Sequence, residues 1–189
     1  MSMQTWQETL VAAQVAGSTL TNSTTATSLL PTHAKIVLPS NFFNAPGKAI
    51  RVKIAGQISN VVTTPGTLTL DFRLGSVVAF NGGAMQLSTT AHTTVPFIAE
   101  FLLTARAVGG GTSANLMGQG FLTSQAVSLT AVADSTTTPA TLLLPNTTPA
   151  VGTGFDSTAS QQIDLFGTFS VASASNAITI QQFIVESLN

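Results

Sequence analysis

Apolar and polar residues alternate along much of this chain, most clearly from Ala45 to Gly75, APGKAIRVKIAGQISNVVTTPGTLTLDFRLG. Ile50, Val52 and Ile54 alternate with Arg51, Lys53 and Ala55, and Leu68, Leu70, Phe72 and Leu74 alternate with Thr67, Thr69, Asp71 and Arg73. A period of two gives each run one apolar and one polar face, as a half-buried strand requires. Pro65-Gly66 supplies turn chemistry between the runs, so the pattern predicts a central hairpin.

The same alternation recurs on both sides. Residues 77–80 predict a short strand, Asn81-Gly82-Gly83 a tight turn, and residues 84–87 its return. Pro96 opens the longest predicted strand, 97–108, with Phe97, Ala99, Phe101, Leu103 and Ala105 on one face. Ile98 and Leu102 fall among Glu100, Thr104 and Arg106 on the other, which predicts a partly covered second face. Gly109 to Gly111 ends that strand, and 115–127 returns, with Gly118 and Gly120 marking a bulge or a close backbone approach. Residues 131–140 and 146–154 read as loops around a short strand at 141–144, and the chain closes on strands at 164–172 and 177–188.

Upstream, 35–38 predicts a short strand closed by Pro39, and Phe42-Phe43 precede a Pro46-Gly47 turn. Those two rings either fold back on the core or form an exposed contact patch. The first twenty residues carry two patterns. Thr5-x-x-Glu8 with Gly17 fits a capped helix, whereas Thr9, Val11, Ala13 and Val15 have period two. With the hydroxyl-rich TNSTTAT that follows, an extended N-terminal arm over residues 1–27 is the expectation, with Trp6 packed beneath it. No segment has a period of 3.6, and no internal repeat stands out. The whole reads as all-β, a single jelly-roll or β-sandwich domain over 28–189 with about eight to ten antiparallel strands.

Composition sharpens this picture. Only 7% of the 189 residues are charged, against about a quarter in an ordinary domain. Thr (30) and Ser (18) carry the polar role instead, and β-branched Thr suits the outward face of a sheet. With 44% apolar residues and a net charge of −1, the chain has ample material for a core and no signature of disorder. Cysteine is absent, which removes disulfides and thiolate chemistry. Near-neutral charge gives no basic footprint for nucleic acid and no polybasic patch for membrane, and a charge-poor surface favours self-association. The N-terminus lacks a basic leader region, and no apolar run approaches a membrane span.

Catalytic patterns are scarce. His33 and His92 are far apart, lack metal-site spacing and read as solvated loop residues. There is no Gly-x-Ser-x-Gly, no His-Glu-x-x-His and no phosphate loop after Gly109 to Gly111. The carboxylates are scattered. Glu100 with Asp71 leaves a glycosidase pair open, while the plainer reading sets Asp71 across the hairpin from Arg51 or Lys53. No catalytic, cofactor-binding or metal-binding residue is assigned, and no cofactor is expected. Trp6, Phe42 and Phe43 are the candidate interface residues.

Several stretches carry a resemblance: LLPTHAKIVLPSNFFNAPGKAIRVKIAGQIS, TPGTLTLDFRLG, VVAFNGGAMQL, LLLPNTTPAVGTGFDSTAS and DLFGTFSVASASNAITIQQFIVESLN. Over about Ser28 to Asn189 the chain resembles structural proteins of tailed phages built as single jelly-roll domains. That resemblance implies a non-enzymatic virion component, a capsid decoration or cement protein. It implies a homotrimer on the outside of the head, bound to the major capsid protein lattice. A receptor-binding or fibre-tip domain of the same virion is the first alternative and a glycan hydrolase the second. The arm is the segment expected to reach a neighbouring subunit.

Overall fold

The computed structural model describes residues 7–61, 63–128 and 139–188. Trp6 and most of the loop expected at 131–140 lie outside them. Thirteen strands are described: β1 (Glu8–Ala12), β2 (Leu20–Thr21), β3 (Thr27–Ser28), β4 (Val37–Leu38), β5 (Ala49–Asn60), β6 (Thr67–Leu74), β7 (Val77–Asn81), β8 (Met85–Gln86), β9 (His92–Ala107), β10 (Asn115–Ser124), β11 (Ala140–Leu144), β12 (Gln161–Phe169) and β13 (Ala177–Ser187). One 3-10 turn, Thr32–Ala34, precedes β4. The strands form two antiparallel sheets, a β-sandwich. The larger runs β1-β13-β5-β9-β10-β11 with β2 also on β13. The smaller runs β3-β12-β6-β7, with β4 also on β12 and β8 also on β6.

The strands whose phase the sequence predicts, β5, β6 and β9, obey it. In β5, Ile50, Val52, Ile54 and Ile58 are buried, and in β6 so are Leu68, Leu70, Phe72 and Leu74. The hairpin expected between these strands does not form. β5 pairs with β13 and β9 in the larger sheet, and β6 with β12, β7 and β8 in the smaller one. Alternation specifies that each strand has one buried face, and two strands meet that demand equally well by facing each other across a core. The closing strands repeat the arrangement: β12 pairs with β6 while β13 pairs with β5, so two consecutive strands nest against two others.

The turn at Asn81-Gly82-Gly83 is also no hairpin. β7 and β8 both run antiparallel to β6, end to end along one edge, and the Gly82 amide continues the ladder by donating to the Leu70 carbonyl at 2.8 Å. Strand β9 begins earlier than predicted and runs through Pro96.

The flanks are closed by backbone hydrogen bonds. On one side the segment around residue 153 links the sheets: Gly152 N donates to Leu116 O of β10 at 2.8 Å, and Thr153 N to Val78 O of β7 at 3.2 Å. On the other, the N-terminal residues lie along their own sandwich, not away from it. β1 and β2 pair with β13, Leu29 N donates to Leu165 O at 2.8 Å, and β3 and β4 pair with β12. Gln14 N donates to His33 Nε2 at 2.9 Å, pinning the arm to the turn before β4.

Between the sheets, Phe101 of β9 meets Phe72 of β6 edge-on at 6.2 Å and Phe80 of β7 at 5.0 Å. Gly118 makes room for this cluster, because a Cβ there would overlap the Phe80 ring and press on Leu103. The close approach expected at Gly118 and Gly120 is therefore present. Phe101→Ala is expected to cost about 3–5 kcal/mol by urea denaturation, as for other buried aromatics. Ile98→Ala, on the outer face of the same strand, should change stability by no more than about 0.5 kcal/mol.

Candidate interaction face

Outward-facing positions of the larger sheet form a grid set by its register. On β5, Arg51, Lys53 and Ala55 face outward. On β9 they sit beside Leu102, Glu100 and Ile98, and on β13 beside Glu186, Ile184 and Gln182. Beyond β9, β10 contributes Gln119, Phe121 and Thr123, and Leu143 of β11 stands directly opposite Phe121. Ile98 is 59% exposed, Leu102 41%, Phe121 39% and Leu143 73%. The partial cover expected over Ile98 and Leu102 is absent from the described residues.

An ion network lies among these apolar side chains. Arg51 Nε is 3.3 Å from Glu100 Oε1, Arg51 Nη1 is 3.7 Å from Glu186 Oε2, and Lys53 Nζ is 3.1 Å from the same Glu186 oxygen. Two positive and two negative groups leave it neutral. Glu186 is the buried member and its partners are half-exposed, so each pair contributes at most about 1 kcal/mol.

The smaller sheet carries a second network on its outer face. Lys35 Nζ lies 3.1 Å from Asp164 Oδ2, Ser28 Oγ donates to Asp164 Oδ1 at 2.8 Å, and Arg73 Nη2 donates to Asp71 Oδ2 at 3.4 Å. The Arg73 guanidinium also stacks over Phe166, 3.8 Å from the ring centre. The partner expected for Asp71 is therefore corrected. Arg51 and Lys53 belong to the other sheet, and Asp71 is served by Arg73 on its own strand. Burial raises the Asp71 carboxyl above its ordinary value of 3.8, and the Arg73 charge and hydrogen bond offset only part of that.

The remaining site expectations resolve geometrically. Glu100 and Asp71 stand on opposite outer faces with the core between them. Stacked sheets lie about 10 Å apart before outward side chains are added, beyond the roughly 5–9.5 Å that glycosidase carboxyls span, so that pair does not assemble. His92 is not a solvated loop residue but a buried one at the start of β9, whereas His33 is exposed. Phe43 is 2% exposed and packs edge-on against Phe42 and Phe155. Phe42 is half-buried, with Lys48 Nζ 5.1 Å from its ring centre. That pair folds back on the core. No group of three His, Asp or Glu able to hold a metal is found among the described residues, and no described helix is long and apolar enough to cross a membrane.

Sequence reasoning did not single out Phe121 and Leu143. Phe121 shares its phase with Gln119 and Thr123, a polar phase that marks it as outward. Leu143 sits in a run of three leucines whose alternation is invisible.

The class defined by this architecture is the all-β sandwich with closed flanks. No family model matches the chain, and no curated protein is detectably similar to it. Among solved structures it is similar to "Structure of the CBM2 module of Lactobacillus casei BL23 phage J-1 evolved Dit", at 7% identity over 99% of each chain with a TM-score of 0.34. An overlap that loose carries no argument about either face.

A carboxyl raised on folding stabilises most below its unfolded value, and that contribution is lost as pH rises through the folded one. Relative to Asp71→Asn, the natural protein should therefore lose stability as pH rises from about 3 to 7. Thermal unfolding of the two proteins across that range, read as their difference, checks the sign.

Proposed function

We propose that this protein is a non-enzymatic structural component of a tailed-phage virion, a β-sandwich that decorates the outside of the head by binding the major capsid protein lattice. The observation that carries the reading is the outer face of the larger sheet, where exposed Ile98, Leu102, Phe121 and Leu143 surround an internally neutral ion network. A face of exposed apolar side chains whose four charges cancel locally suits protein contact and offers no net positive field to a polyanion. The resemblance of residues 28–189 to phage structural proteins supports the virion context. A cement protein binds a repeated lattice through modest contacts that multiply by avidity, and a cysteine-free sandwich closed on both flanks is a rigid unit for that task. A homotrimer on local three-fold positions of the head belongs to this proposal, as do the absence of a nucleic-acid or membrane partner and of a cofactor.

One observation favours a second reading, a receptor-binding or tail-tip module. At one end of the sandwich, the ends of β5 and β9 with the turn around Ser175 line a depression of about 380 Å³, where Ser59, Asn60, His92 and Thr93 sit among Val61 and three alanines, a size that takes a small ligand. The two readings differ in stoichiometry. Densitometry of purified particles should give this protein in numbers comparable to the major capsid protein. A few copies per particle would transfer the assignment to the tail.

A further inference from the structure

Seven large apolar side chains are exposed among the described residues, and four of them share the outer face of the larger sheet. The register arranges that face in rows, and its central row runs Ile184, Lys53, Glu100, Phe121, Leu143 from β13 to β11. The row is apolar at both ends and charged in the middle, and its sign changes between β5 and β9. We propose that a second copy of this chain docks on this face, about a two-fold axis lying parallel to the strands between β5 and β9.

Such an axis exchanges the two halves of the row. Lys53 of each copy then faces Glu100 of the other, and Phe121 with Leu143 of each meets the Ile184 side of the other. An isologous contact needs this self-complementarity, in which one patch supplies both halves. Two sheets packed face to face also accept near-aligned strands, the arrangement already used inside the sandwich. The charges sum to zero within each copy, so a strongly charged partner gains nothing here, whereas a second copy sets Lys53 against Glu100 twice. In the neighbouring row the same axis sets Arg51 against Leu102 and Glu186 against Gln119, and there each ion keeps its partner within its own copy. The apolar ends supply affinity and the central charges set the register. Only a small apolar area is available, so the dimer is weak, with dissociation in the micromolar to millimolar range. The inference does not rest on the virion reading: the pair belongs to the free protein. Its face is the one the capsid lattice would cover, so the two contacts exclude each other, and a homotrimer on the head would use another surface.

Sedimentation equilibrium of the full chain, up to about 1 mM, is expected to show a reversible species of twice 19.4 kDa. Leu143→Asp should raise the dissociation constant at least about tenfold, while Val37→Asp, an exposed position on β4 in the other sheet, should leave it unchanged. Lys53→Glu and Glu100→Lys should each be monomeric alone, with circular dichroism confirming the fold. Mixed in equal amounts they should form a heterodimer, because each like-charge contact becomes an opposite-charge one. A wild-type chain that stays monomeric throughout, a trimer insensitive to Leu143→Asp, or folded variants whose mixture does not associate would each overturn the proposal.

Discussion

Two amphipathic sheets have to hide one face each, and in this chain they hide them against one another. Phe101 on the larger sheet meets Phe72 and Phe80 on the smaller one, and Gly118 is side-chain-free where those rings need space. Most other features follow from this closure. Consecutive strands β5 and β6 separate into opposite layers so that their apolar faces can oppose, and β13 and β12 nest against them in the same way. The segment around residue 153 and the N-terminal strands then satisfy backbone groups along the two flanks, which would otherwise be open edges.

Once the apolar residues are spent on the core, the few charges decide the character of the surface. Four of the thirteen charged residues (Arg51, Lys53, Glu100, Glu186) form one network, and four others (Lys35, Asp71, Arg73, Asp164) belong to the second. Each sheet thus carries one internally neutral cluster on its outer face. A near-zero net charge could have come from separated patches of opposite sign. Here it comes from local cancellation within each cluster.

The legible and illegible parts of the fold divide along a physical line. The phase of β5, β6 and β9 could be read, because period two follows from backbone geometry and one buried face: Val52, Phe72, Phe101 and Leu103 are all inside as expected. Strand partners could not. The predicted β5–β6 hairpin, the Gly82-Gly83 return and the pairing of Asp71 with Arg51 or Lys53 all failed together, since each assumed that neighbours in sequence are neighbours in a sheet. The candidate contact residues shifted for the same reason. Phe43 is a core residue, while Phe121 and Leu143 make the exposed patch only because β9, β10 and β11 lie side by side.

By itself, the amino-acid order determined an all-β chain with one greasy face per strand, a hydroxyl-rich polar complement and very little charge. Those properties are local: they depend on what alternates with what, and on how much of it there is. Which strands share a sheet, which acid meets which base and which apolar residues stay outside were settled only when two layers closed over a common core. Closure is a condition on residues more than a hundred positions apart, and no short stretch of sequence contains it.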